Sequence, residues 1–240
     1  MRTVAKKSKF VEIKNQTDSS ADLYFYGDIV SNWWGAWDDT DQYPEAIRDF
    51  LNGVSGKNLN IYVNSGGGSV FAGMAIYNML KRHQGHKTVY VDGVAASIAS
   101  VIALAGDKVV IPSNAFLMIH KPWMEALGNA KTLREKADFL DNIEIGIMNA
   151  YADRLKDGVD IETIRQMVQD ETWLNGLEAS QYFDIEVSQA NEAVACVSDC
   201  FKDYKRTPQA FKEVPKVDPE PKVDETQNQI NEMMMELDLI

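Results

Sequence analysis

The sequence predicts an α/β fold of repeated βα units with helices appended at its C-terminal side and a tail of different composition. Three observations carry this. Short apolar runs at Leu59 to Val63, Val89 to Val91, Val109 to Ile111 and Ala115 to Ile119 have strand length, and the first two lead through small residues into helical patterns. From Asn129 onward the apolar period lengthens to that of helices, and beyond residue 205 proline and charge displace apolar residues. A chain of 240 residues with 45% hydrophobic content can bury one substantial core. The divisions expected are an N-terminal arm at 1–21, a domain at 22–205, a disordered linker at 206–225 and an amphipathic helix at 226–240.

In the arm only Phe10 to Ile13 suggests a short strand. Leu23 to Tyr26 opens the fold, and Gly27-Asp28 turns it toward a loop with Trp33, Trp34 and Trp37. Those tryptophans suit either a grip on a substrate or neighbouring subunit, or a cover for the core edge. Pro44 to Leu51 reads as a helix with Ile47 and Leu51 inward, broken by Gly53 to Lys57. Leu59, Ile61 and Val63 alternate into Asn64-Ser65-Gly66-Gly67-Gly68-Ser69-Val70, before a helix at Phe71 to Arg82. Strand, glycine loop and helix together present backbone N–H groups to an anion. The Lys-Ser/Thr of a phosphate loop is missing, and Phe71 stands where a dinucleotide fingerprint needs its third glycine, which leaves an oxyanion hole as the other common use.

The strand Val89 to Val91 runs into Gly93-Val94-Ala95-Ala96-Ser97-Ile98-Ala99-Ser100, and a helix follows at Ala99 to Ala105. A hydroxyl at the first turn of a buried helix lies beside unpaired N–H groups, so Ser97 is a nucleophile candidate. Alone, the pattern fits a capping or packing serine as well. Of three histidines, His83 and His86 flank polar residues at a helix end, whereas His120 ends an apolar strand. There it is either a satisfied core residue or a general base for a serine at the mouth of the same sheet. Asn129 to about Leu155 forms a long helix with Leu133, Ala137, Leu140, Ile143, Ile147 and Tyr151 on one stripe. A second helix starts at Asp160, and Asn175 with Glu178 forms a capping box for a third. In the tail, Ile230, Met233, Met234, Leu237 and Ile240 fall on one stripe of a possible docking helix.

A net charge of −12 argues against nucleic acid as a partner. Cys196 and Cys200, one helical turn apart with no histidine near, predict neither a disulfide framework nor zinc, and point to a reducing compartment. No metal or cofactor is expected. The N-terminus has no apolar run for a signal peptide, and no apolar stretch of membrane-spanning length occurs.

Four stretches occur in the order and spacing of one family: Asn64 to Val70, Gly93 to Ser97, Met118-Ile119-His120 and Glu171-Thr172-Trp173-Leu174. Over roughly residues 22–190 the chain resembles the Clp peptidases, and within them the phage branch of Clp-like head maturation proteases. The resemblance implies a ClpP/crotonase-like fold and a serine endopeptidase with a Ser-His-acid triad in a homo-oligomeric ring. Carried over by motif, Ser97 is the nucleophile, His120 the base, and the N–H groups of Gly68 and Ile98 the oxyanion hole. The family's acid position falls on Glu171 where an aspartate is usual, with Asp170 just before it as the alternative. Gly66 replaces the usual proline.

The extended N-terminal segment that Clp peptidases use at their axial pore is not recognised before Leu23, so an ATPase unfoldase is not expected. The function implied is a prohead protease cutting scaffold or capsid-protein segments inside an assembling procapsid in the host cytoplasm. The alternatives are a degradative Clp peptidase fed by an ATP-dependent unfoldase and a non-catalytic capsid-assembly scaffold. A hydratase-like use of the same hole would need carboxylates that Ala95, Ala96 and Ile98 do not supply.

Overall fold

The computed structural model describes residues 16–32, 41–190, 196 and 198–212. Its elements are β1 (Ser20–Tyr26), α1 (Pro44–Gly53), β2 (Asn58–Ser65), α2 (Val70–Arg82), β3 (Lys87–Ala96), α3 (Ile98–Ala103), β4 (Lys108–Pro112) and β5 (Phe116–Ile119). Then follow α4 (Ala130–Ala152), α5 (Ile161–Gln169), β6 (Thr172–Asn175), α6 (Gly176–Ala179), β7 (Glu186–Ser188), a 3-10 turn (Asp199–Lys202) and α7 (Gln209–Lys212). The α/β class with a mostly parallel sheet is the one the alternation of apolar runs predicts. Strands β1-β2-β3-β4-β7 pair in that order, all parallel, and β5 with β6 branch from β3.

Period-two patterning decides which face is buried. Leu23 aligns with Ile61 and then Val89, and Phe25 with Val63 and then Val91; all six are buried against Ile47, Ile76, Leu80 and Ile102. The alternate residues Tyr24, Tyr62 and Tyr90 stack across the opposite face, with centroids 4.7 and 5.4 Å apart. Helix starts follow side-chain chemistry. Asn129 accepts from the N–H groups of Lys131 and Thr132, Asp160 accepts from Glu162, and Asn175 and Glu178 make both halves of a capping box.

The sheet splits along β3. Its first half pairs with β4 (Thr88 to Tyr90 against Lys108 to Val110), and its second half with β5 (Val94 to Ala96 against Phe116 to Met118). The C-terminal ends of β3 and β5 therefore lie side by side, and the residues that follow them emerge at the same edge.

Three features differ from expectation. Thr172 to Asn175, which the apolar pattern does not mark as a strand, is strand β6, antiparallel to β5 with Ile119 opposite Thr172. A run of four residues is too short for periodicity to register. The first half of α4 leaves the domain, with Leu133 and Phe139 exposed, and its buried residues begin at Glu144. Finally, packed chain continues past residue 205. Thr207 is buried and donates from its hydroxyl to the Phe201 carbonyl at 2.9 Å, while Phe211 stacks on Trp173. Phe201 and Tyr204 are buried on Val94, Ala96 and Met118 in a second small core. Aromatic side chains among the charged residues hold this stretch down. Among the described residues no helix is long and apolar enough to cross a membrane. The strand suggested at 10–13, the three tryptophans, the rest of the expected linker and the tail helix lie outside the described residues.

Candidate active site

Ser97 follows β3 directly, and its N–H donates to the Met118 carbonyl of neighbouring β5 at 2.9 Å. The chain must turn from strand into α3 in one residue, and Ser97 does so at φ 53° and ψ −128°, costly for a residue with a Cβ. The turn is tied down from below: Ser100 Oγ donates to the Ser97 carbonyl at 2.5 Å and lies 2.8 Å from the buried Tyr151 hydroxyl. The capping reading fails, because the Ser97 side chain makes no cap hydrogen bond. Its hydroxyl is instead 2.7 Å from His120 Nε2.

His120 stands one residue beyond β5. Burial pushes its pKa below the usual 6.5, and the Glu171 charge works in the opposite direction. The neutral imidazole that results can accept a proton from Ser97. Glu171 reaches this place through β6, since pairing of Ile119 with Thr172 sets the next residues, His120 and Glu171, beside each other. Like Ser97 it has positive φ, 51°, and among the described residues these two are the only non-glycines that do. Its carboxylate accepts from the N–H groups of Lys205 at 2.8 Å and Arg206 at 2.5 Å. Asp170 is placed differently: it caps α5 and its carboxylate accepts from Gln166 Nε2 at 3.0 Å.

The glycine loop is positioned by β1's continuation. The Ile29 N–H donates to the Gly67 carbonyl and the Ser69 N–H to the Ile29 carbonyl, both at 2.7 Å. Gly68 sits between at φ 135°, where a Cβ would fall 2.2 Å from the Ile29 carbonyl oxygen, so only glycine fits. Ile98 is the first residue of α3. Among the described residues neither the Gly68 nor the Ile98 N–H has a backbone acceptor in the turns and loops around it.

Residues 196–212 supply what sequence reasoning missed. Tyr204 Oη donates to the Gly66 carbonyl at 2.5 Å, and its ring meets His120 edge-on with centroids 4.9 Å apart. Ser198 Oγ donates to Asp28 at 2.6 Å, and a Cβ on Gly66 would fall 2.1 Å from that oxygen, so no side chain fits where the resemblance has proline. A cavity of about 250 Å³ remains, lined by Gly68, Ser97, His120, Trp123, Cys200 and Tyr204. Cys200 is a rival nucleophile by position, but burial pushes its thiol up to about 11, leaving little thiolate at neutral pH. Only the aromatic spacing of Phe201, Tyr204 and Phe211 in the sequence hinted at this segment.

A serine on a strained strand-to-helix turn, bonded to a half-buried histidine near two N–H groups without a backbone acceptor, matches a sequence pattern shared with known proteins. The Clp protease family model matches residues 50–185, the span that holds Ser97, His120 and Glu171. The chain belongs to the Clp protease family. The ATP-dependent Clp protease proteolytic subunit of Ligilactobacillus salivarius is 35% identical over 131 residues, which cover 53% of this chain and 65% of that protein. That of Bacteroides fragilis (strain ATCC 25285) is 31% identical over 137 residues, covering 55% and 65%. The chain thus spans just under two thirds of the length of these Clp relatives, and residues 196–212 lie beyond the family match.

Proposed function

We propose that this protein is a serine endopeptidase with Ser97 as nucleophile, His120 as general base and Glu171 as the acid that orients it. The observation that carries the reading is the 2.7 Å contact between Ser97 Oγ and His120 Nε2 at a strained, half-buried turn. Ser97 Oγ attacks the scissile carbonyl carbon while its proton passes to His120 Nε2, and the carbonyl oxygen takes the electron pair and faces the Gly68 and Ile98 N–H groups. Collapse of that intermediate breaks the C–N bond, and the amine leaves with the proton from His120. Water, deprotonated by His120, then releases the acyl group and restores Ser97. Glu171 holds the imidazole and offsets its positive charge; the coulombic pull on His120 supports it over Asp170.

The test is covalent labelling by a fluorophosphonate. Wild type should label at one site, and Ser97→Ala and His120→Ala should not; a label that survives Ser97→Ala removes Ser97 from the role.

For the biological setting, the motif resemblance supports a head maturation protease acting on scaffold or capsid-protein segments within an assembling procapsid in the host cytoplasm. Such segments are already flexible and need no unfoldase. The names of the bacterial relatives favour a second reading, a proteolytic subunit working with an ATP-dependent partner. Co-expression with capsid and scaffold proteins separates them: Ser97-dependent fragments without added ATPase favour the first, and degradation only with an ATPase the second. A homo-oligomer accompanies either reading, with the exposed half of α4 as a contact, since Leu133 and Phe139 are 46% and 41% exposed on it. Light scattering should give a mass several times 26.9 kDa, and a monomer at micromolar concentration overturns this part.

A further inference from the structure

The stretch from Cys196 to Lys212 lies across the candidate active site, and its contacts are with the parts a peptide substrate must reach. Ser198 anchors one side through Asp28 and sits where any side chain on Gly66 would be. Tyr204 takes the Gly66 carbonyl and an edge-on place at His120. Lys205 and Arg206 use their N–H groups on both oxygens of Glu171. Past these, Thr207 and Phe211 hold the stretch to Phe201 and Trp173.

We infer that residues 196–212 form an autoinhibitory strap, which must swing off the site before a peptide chain can reach Ser97. This rests on the reading of Ser97 as nucleophile. Three observations argue for occlusion rather than completion of the site. The space at Ser97 is a cavity of about 250 Å³ walled on one side by Cys200, Asp203 and Tyr204, and a second of about 310 Å³ beyond His120 is walled by Asp203, Lys205 and Arg206. The strap thus closes one side of both, whereas an extended peptide needs an open groove. Second, the strap places one backbone donor on each oxygen of Glu171, and these donors compete with the imidazole for the charge of that carboxylate. Third, the cover carries a penalty that opening would relieve: the Trp173 indole N–H beneath it is buried with no acceptor among the described residues.

The Ser97 to His120 contact is already in place under the strap, so release should expose a formed pair. The closed state lowers the apparent rate by the fraction of molecules that are open.

The experiment compares fluorophosphonate labelling rates of the full chain as wild type, Tyr204→Phe and Tyr204→Ala, with Ser97→Ala as the blank. Tyr204→Phe keeps the ring and loses only the hydroxyl, and should label roughly fivefold faster, the fold-change equivalent to one ordinary hydrogen bond. Tyr204→Ala also loses the ring from His120 and should exceed that, by about tenfold or more. Thermal melts establish that each variant folds; if Tyr204→Ala does not, Tyr204→Phe decides. Equal rates in all three would mean the strap is not in the way, and slower labelling in the variants would mean it completes the site. Either result overturns the strap while leaving Ser97 as nucleophile. Labelling of Ser97→Ala at the wild-type rate, or no labelling of any variant, would instead remove the nucleophile and the strap with it.

Discussion

The sheet and the segment laid over it are held by different physics. Ser97, His120 and Glu171 hang from the ends of β3, β5 and β6, whose registers fix their separation through buried backbone pairs. The segment at 196–212 is held by a few aromatic contacts and side-chain hydrogen bonds on a small satellite core. Chemistry that fails with a shift of an ångström belongs on the first kind of support. Access, which must change, belongs on the second, where opening costs far less than global unfolding.

The largest effects should come from the sheet-borne groups. His120→Ala should lower Ser97 labelling and peptide turnover by about 10⁴-fold, because a serine hydroxyl without its base is a poor nucleophile. Turnover within tenfold of wild type would break the contrast by placing the base elsewhere. Next, Gly68→Ala should reduce turnover about 10²- to 10³-fold, the range for loss of one oxyanion donor, since its Cβ would push against the Ile29 carbonyl 2.2 Å away. Unchanged folding by circular dichroism, with kcat reduced more than KM is raised, is the expected signature.

Glu171→Gln should cost about 10²-fold or more, with Asp170→Asn near neutral. The pH profile sharpens this. Burial holds the His120 pKa below 6.5, and only neutral imidazole accepts the Ser97 proton, so the rate should rise with pH along an acidic limb that lies below that of a free histidine. The Glu171 charge raises that pKa, so Glu171→Gln should move the acidic limb to lower pH while dropping the plateau. A limb that stays in place would mean that Glu171 does not act on His120.

The same contrast explains what was legible in the sequence. Strands β2, β3 and β4 announce themselves because Leu59, Ile61 and Val63, and their counterparts, alternate or run as buried strands do. Small residues at Gly93 to Ser97 and the glycine loop mark the two turns where backbone approaches backbone. Strand β6 went unread because pairing of Thr172 to Asn175 with β5 is a tertiary fact with no local signal. The backbone strain at Ser97 and Glu171 is likewise invisible until strands on either side are fixed. Residues 206–212 read as linker because Pro208 stands among the polar Arg206, Thr207, Gln209 and Lys212, although Thr207 and Phe211 pack. In a stretch this short, two packed side chains outweigh the composition.

The smallest predicted effect separates the two supports directly. Ile61 is fully buried in the main core, so Ile61→Ala should cost about 2–5 kcal/mol and lower the melting temperature by several degrees. Among the described residues the Phe211 ring meets those of Trp173, Phe116 and Phe201 at the satellite core. Its loss should act locally, so Phe211→Ala should leave the main unfolding transition within about a degree or two. Trypsin provides the readout, because Lys205 and Arg206 expose their side chains while their N–H groups are held by Glu171. Cleavage there requires the segment to lift, so its rate follows the open fraction when opening is fast. Phe211→Ala should therefore be cut faster at 205–206 than wild type under conditions that leave the sheet intact, and Ile61→Ala should not be cut there selectively. If Phe211→Ala instead lowers the main transition as much as Ile61→Ala does, residues 196–212 unfold with the sheet as one cooperative unit. A segment so coupled could not open while the sheet stays folded.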